Sequence, residues 1–111
     1  MARQEPYTEA DWKLFRKRIA DWQEASMERL NQQYVQMLTS DQKPSERFWA
    51  VWDRIQKDTE LVGVSCDMRR SQLTMNLTTL VLEGTIGLDD LDGFSERLRD
   101  HVTTAVRIIE Q

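Results

Sequence analysis

The sequence predicts an all-α fold of four helices, over about 8–39, 45–59, 67–83 and 88–110, with a long first helix packed by three shorter ones in a bundle-like arrangement. Three observations carry that prediction. Apolar residues recur at three- and four-residue steps, the spacing that gathers side chains on one face of a helix. Pro and Gly fall at the breaks between those runs or near helix ends. The one stretch that alternates as a strand would has no second strand to pair with.

The first helix begins after Pro6, where Thr8-Glu9-Ala10-Asp11 has the form of a capping box, each end satisfying the other's free amide. Trp12, Phe15, Ile19, Trp22, Ser26, Leu30, Tyr34 and Met37 then share one face, widened by Leu14, Met27, Val35 and Leu38. With neither Pro nor Gly between 8 and 39, the segment reads as one helix of about 45 Å at about 1.5 Å per residue.

Polar residues 39–43 form a connection, and Pro44-Ser45-Glu46 supplies the next start, with Pro44 in the first turn or Ser45 as cap. Phe48, Trp49, Trp52 and Ile55 are the apolar face of this short helix, and Gly63 marks the loop after it. In the third segment Leu73, Met75 and Leu77 alternate with polar residues, but Leu80, Val81 and Leu82 break the alternation. Leu73, Leu77, Leu80 and Val81 fit a helical face instead. Gly84 suits the left-handed position that ends a helix. The fourth helix is expected to start with Gly87 as cap, Ile86 and Leu91 stapling the turn, and Asp89 and Asp90 facing the helix dipole. Leu91, Phe94, Leu98, Val102, Ala105 and Ile109 continue its stripe to the end.

A chain of 111 residues, 40% of them hydrophobic, suits one domain spanning 1–111 with one modest core. Charged residues are 31% of the chain and the mean hydropathy is -0.64, yet four Trp, three Phe and two Tyr argue for a folded protein. The longest unbroken apolar run is only 48–52, against about 20 residues for a membrane span. The polar N-terminus lacks the apolar core of a secretory signal, and with the lone Cys66 this places the protein in the cytoplasm. One cysteine and one histidine, His101, cannot build a Cys/His zinc site. A net charge of -4 opposes wholesale phosphate binding.

The block Tyr7-Thr8-Glu9-Ala10-Asp11-Trp12-Lys13-Leu14-Phe15-Arg16-Lys17, with Trp22-Gln23-Glu24, resembles the opening of a family of short, uncharacterised bacterial helical proteins. Pro44-Ser45 before Phe48-Trp49, then Met68 with Arg70-Ser71, extend the likeness. So does Gly84-x-Ile86-x-x-x-Asp90-Leu91-x-x-Phe94-Ser95-x-x-Leu98. The resemblance implies no established activity. Hydropathy excludes for this chain the label "multidrug transporter" that such proteins sometimes carry. Gly87 departs from the Ser or Thr cap expected at that position.

Candidate chemistry is sparse. Residues 83–90 have the Gly, Ile and terminal acid of a calcium loop's second half, but in that register Thr79 and Val81 occupy the first and third ligand positions, and Val81 has no side-chain oxygen. Cys66 before a helix start, with His101 as a distant base, is the minimal recipe for a thiol nucleophile, though a packed histidine is the commoner outcome at such a position. The glycines are scattered, so no phosphate-binding loop is present. Lys13, Arg16, Lys17 and Arg18, with Arg69 and Arg70, form a basic set that could contact phosphates. An acidic stripe of Asp89, Asp90, Asp92, Glu96 and Asp100 could neutralise it, within the chain or across a dimer.

The first helix outruns the other three, so its excess needs cover. Trp12 and Phe15 at one end, or Tyr34, Met37 and Leu38 at the other, are candidate interface residues, joined by Phe48, Trp49 and Trp52 on the aromatic second helix. The expected function is a non-enzymatic protein-binding or regulatory module acting through apolar helix surface, with a protein partner or a second copy. The alternative is a nucleic-acid-associated regulator using the basic set, and the third reading is a small enzyme with an inter-helix pocket. No cofactor, metal or membrane partner is expected.

Overall fold

The computed structural model describes residues 5–111. Four α-helices and two 3₁₀ turns make up its regular structure, with no strand among the described residues. Helix α1 spans Glu9–Leu38 and starts at the box expected for it: the Thr8 hydroxyl accepts the Asp11 N–H at 3.1 Å, and the Asp11 carboxylate accepts the Thr8 N–H at 2.9 Å. Helix α2 spans Pro44–Asp58 with Pro44 at its first position. The Arg47 guanidinium donates to the Leu38 carbonyl at 2.9 Å, closing the turn between α1 and α2.

Helix α3 covers Leu73–Leu82, shorter than the expected 67–83. Its first part is replaced by a turn in which the Arg69 N–H donates to the Asp67 carboxylate at 3.1 Å, followed by a 3₁₀ turn, Arg70–Gln72. The buried Asn76 side-chain amide also donates to the Asp67 carbonyl at 2.8 Å, a bond a continuous helix would forbid. Leu73, Leu77 and Leu80 are fully buried while Met75 is exposed, so the helical period and not the alternation governs this segment. At Gly84 the backbone turns left-handed, φ 80°, and the Thr85 and Ile86 N–H groups return to the Leu80 carbonyl.

Helix α4 covers Glu96–Glu110 and not 88–110. Gly87 does open a helical turn, and the Asp90 carboxylate accepts its N–H at 2.8 Å, but the turn is 3₁₀ and ends at Leu91. Gly93 then adopts φ 95°, which no continuing helix can hold, and Ser95 becomes the cap of α4 by accepting the Leu98 N–H at 3.3 Å. A Cβ at Gly93 would also meet the Arg18 guanidinium at 2.9 Å and Leu14 at 3.3 Å. The buried stripe of α4 runs through Leu98, Val102 and Val106, leaving Ile109 exposed.

Helices α1, α3 and α4 share one core. Trp12, Phe15 and Ile19 from α1 meet Leu73, Leu77 and Leu80 from α3, Leu98, Val102 and Val106 from α4, and Ile86, Leu91 and Phe94 from the segment between. Trp12 and Phe15 stack at 6.2 Å between ring centres, and Phe15 meets Trp22 edge-on at 6.3 Å. The Asp11 carboxylate is buried at this end, where it accepts the N–H and the hydroxyl of Ser95. Burial opposes its ionisation, but the Ser95 and Thr8 donors outweigh burial and hold the carboxyl below its ordinary range.

Beyond Ile19 the core thins. The loop after α2 is pinned to α1 and α3: the Val62 N–H and Gly63 N–H donate to the Glu83 carboxylate at 2.8 and 3.3 Å, and the Gln23 amide donates to the Val62 carbonyl at 3.2 Å. The outer part of α1 has α2 beside it and projects from the core as a helical hairpin. The molecule is 60 Å long and 30 × 26 Å across, with a radius of gyration of 16.9 Å, well above the roughly 13 Å of a compact chain of this length.

Candidate interaction surface

Helix α2 repeats apolar residues at helical spacing, as a core helix does, yet the only side chain it buries is Asp58. Its inner side is held to α1 by polar contacts. The Asp58 carboxylate accepts the Tyr34 hydroxyl at 2.5 Å and pairs with Arg54 at 3.0 Å, while Arg54 also donates to Gln33. Burial, then the hydrogen bond to Asp58 and its charge, push the Tyr34 phenol up to about 12. With α2 fixed through Arg54 and Asp58, the side carrying Phe48, Trp52 and Ile55 is turned to solvent. Phe48 is 61% exposed, Trp49 58% and Trp52 51%, and the Phe48 and Trp49 rings meet edge-on at 5.0 Å.

A cleft of about 290 Å³ between α1 and α2 fixes which side of α1 adjoins this patch, because Asn31 and Tyr34 line it together with Ile55 and Thr59. Leu38 lies seven residues beyond Asn31 and Val35 four, so both continue the Asn31 line along α1 at helical spacing. Val35 and Leu38 are exposed. Phe48 and Trp52 continue the Ile55 line along α2 in the same way. The two rows form one apolar flank, two helices wide, with Leu30 and Met27 at the floor of the cleft.

No match was found among protein-family models, curated proteins or solved structures. The chemistry of the chain's own surface therefore carries the functional reading.

Of the residues expected at an interface, Phe48, Trp49, Trp52 and Leu38 are exposed, and Tyr34 and Met37 are half-buried. Trp12 and Phe15 do not belong with them. Both are buried, because α3 and α4 cover the inner end of α1 and leave only the outer end short of cover. Sequence reasoning missed Asp58, Arg54 and Gln33. The four-residue step from Arg54 to Asp58 was the visible signal, but the step from Asp58 to Tyr34 crosses two helices.

The basic set is divided. Arg18 donates to the carbonyls of Asp90 and Asp92 at 3.2 and 2.6 Å and lies over the Phe94 ring, so it meets the acidic stripe through its backbone and not its carboxylates. Arg69 pairs with Asp67 at 2.6 Å, and Arg70 pairs with Glu9 at 2.7 Å while covering Trp12. Lys13, Arg16 and Lys17 are exposed on α1.

The thiol recipe is not assembled either. Burial pushes the Cys66 thiol up, and the Asp67 and Glu83 carboxylates add to this, the reverse of what a nucleophile needs. His101 is exposed in a groove between α3 and α4 with Thr74, Met75 and Ile109, and Cys66 does not line that groove. Among the described residues no three His, Cys, Asp or Glu side chains gather to hold a metal ion, and no helix is long and apolar enough to cross a membrane.

Proposed function

We propose that the protein is a non-enzymatic protein-interaction module whose binding element is the flank of the α1–α2 hairpin. One observation carries this reading: α2 has the residue pattern of a packed helix and shows its aromatic side to solvent. Scattered apolar residues are ordinary on a surface, but a contiguous patch built on Trp and Phe is what interfaces concentrate at their centres. The most buried carboxylates, Asp11 and Asp58, support a non-enzymatic reading because each is occupied by hydrogen bonds that hold helices together. A cytoplasmic setting is part of the proposal, supported by Cys66 being the single cysteine of the sequence.

The nucleic-acid reading has less support, since Arg18, Arg69 and Arg70 already have partners within the chain. The test is capture from a lysate of the native host by the immobilised protein, read by mass spectrometry. The expected result is that Phe48→Ser with Trp49→Gln and Trp52→Gln abolishes capture of specific proteins, whereas Lys13→Gln with Arg16→Gln and Lys17→Gln leaves it intact. Capture indifferent to the aromatic substitutions would overturn the proposal.

A further inference from the structure

Resting on that interaction reading, we infer that the occupant of the hairpin flank is a second copy of this chain, paired about a two-fold axis that passes beside the outer part of α1. Two observations select this partner: the distribution of charge along α1 and the area of the flank.

None of the chain's 15 basic and 19 acidic residues falls within 30–40, although 31% of all residues are charged. The part of α1 before this stretch carries charges throughout, from Glu9 to Arg29, and the last of them lie beyond Ile19, where the core thins. On an exposed helix an uncharged stretch is unusual, because charged side chains are the ordinary means of keeping such a surface solvated. Beside a two-fold axis it is favoured. Each residue near the axis meets its own copy, so any charge there faces a like charge. Asn31, the polar residue of the α1 row, does not have that difficulty, since an amide both donates and accepts and can pair with itself. A different protein would set no such condition, because opposite charges on its surface could answer charges on this one.

The area agrees. Phe48 and Trp52, of about 200 Å² each and roughly half exposed, offer on the order of 200 Å², and Val35, Leu38 and Ile55 bring the apolar flank to roughly 450 Å². Two such flanks supply about 900 Å². At the ~60% apolar share typical of interfaces this corresponds to a total near 1,500 Å², within the range of stable complexes. The flank's two parallel rows of side chains would meet their own copies as two helix pairs, giving a four-helix layer.

The experiment uses the purified full chain in light scattering or sedimentation across the micromolar range. The wild type is expected at twice its 13.1 kDa mass. Val35→Lys and Val35→Glu, at an exposed position where far-UV circular dichroism will show the helices retained, should each weaken self-association at least about tenfold. Mixing the two variants in equal amounts should restore the dimer, because the facing charges become opposite. A wild-type monomer throughout the range would overturn the inference, and so would a dimer that neither charge weakens. If the monomer result comes with hairpin-dependent capture of a different protein, the second copy is excluded while the interaction module stands. Loss of both results removes both.

Discussion

The Asp11 carboxylate accepts the Ser95 N–H at 2.7 Å and the Ser95 hydroxyl at 2.6 Å, joining the first turns of α1 and α4 across 84 positions of sequence. Asp11 is also the third residue of α1 and closes its capping box, and Ser95 is the cap of α4. One carboxylate thus serves the starts of two helices, where the dipoles of both favour its negative charge.

Asp11→Ala should be among the most destabilising polar substitutions in the chain. It leaves the Thr8 N–H and both Ser95 donors without their acceptor, and hydrogen bonds to a charged group count for more than neutral ones. The expected loss is on the order of 3 kcal/mol, read as a lower urea midpoint at unchanged slope.

The same carboxyl makes stability depend on pH in acid. Its folded-state pKa is depressed below 3.8, so between the folded and unfolded values the unfolded chain binds the extra proton. Its contribution is complete above the unfolded value and disappears as pH falls through the folded one. Urea midpoints measured from pH 6 downward should therefore fall in the acid range for wild type, and Asp11→Asn should flatten that fall.

Tyr34 acts at the other end of the scale. Its phenol is pushed up to about 12, so its contribution is complete below pH 10 and is lost as pH rises through the folded value. Ultraviolet titration of wild type against Tyr34→Phe should show the Tyr34 phenolate forming near that pH. Tyr34→Phe should cost about 1 kcal/mol at neutral pH, since Arg54 still holds Asp58.

Gly93→Ala should cost on the order of 2 kcal/mol. Its φ of 95° is unfavourable for any residue with a Cβ, and that Cβ would press on Arg18 and Leu14. The Arg18 guanidinium can swing away, at the cost of its bonds to the Asp90 and Asp92 carbonyls, whereas Leu14 must shift. Thermal unfolding against wild type measures the effect.

Phe15 and Trp52 should separate core from surface. Phe15→Ala empties a fully buried site and should cost about 3–5 kcal/mol. Trp52→Gln, at a half-exposed site, should change the unfolding free energy of the isolated chain by only about 0.5 kcal/mol. If the chain is paired through the hairpin, the same substitution will also remove the concentration dependence of the unfolding midpoint.

What was legible in the sequence was local. The capping box at Thr8 and Asp11, the Pro44 start and the Gly84 stop each depend on residues a few positions apart, and α1 and α2 came out within a residue of their expected ends. The apolar stripe of α4 was legible too, but its start was not. Leu91 and Phe94 keep helical spacing with Leu98, so the stripe concealed the break at Gly93, and only the left-handed backbone reveals that Ser95 begins the helix. Pattern also failed at α2. Its apolar face is identical whether it packs inward or outward, and the direction is decided by Tyr34, Arg54 and Asp58, whose encounter depends on how two helices sit together. The long reach from Asp11 to Ser95 left no periodic trace at all.

Helix α1 belongs to both ends of the molecule without interruption. A stiff rod of this kind transmits tilt and torque, so whatever grips its outer third loads the buried clamp at its base. Strain applied at Val35 would thus be felt some tens of ångströms away, at about 1.5 Å per intervening residue, where the Asp11 carboxylate ties the far end to α4.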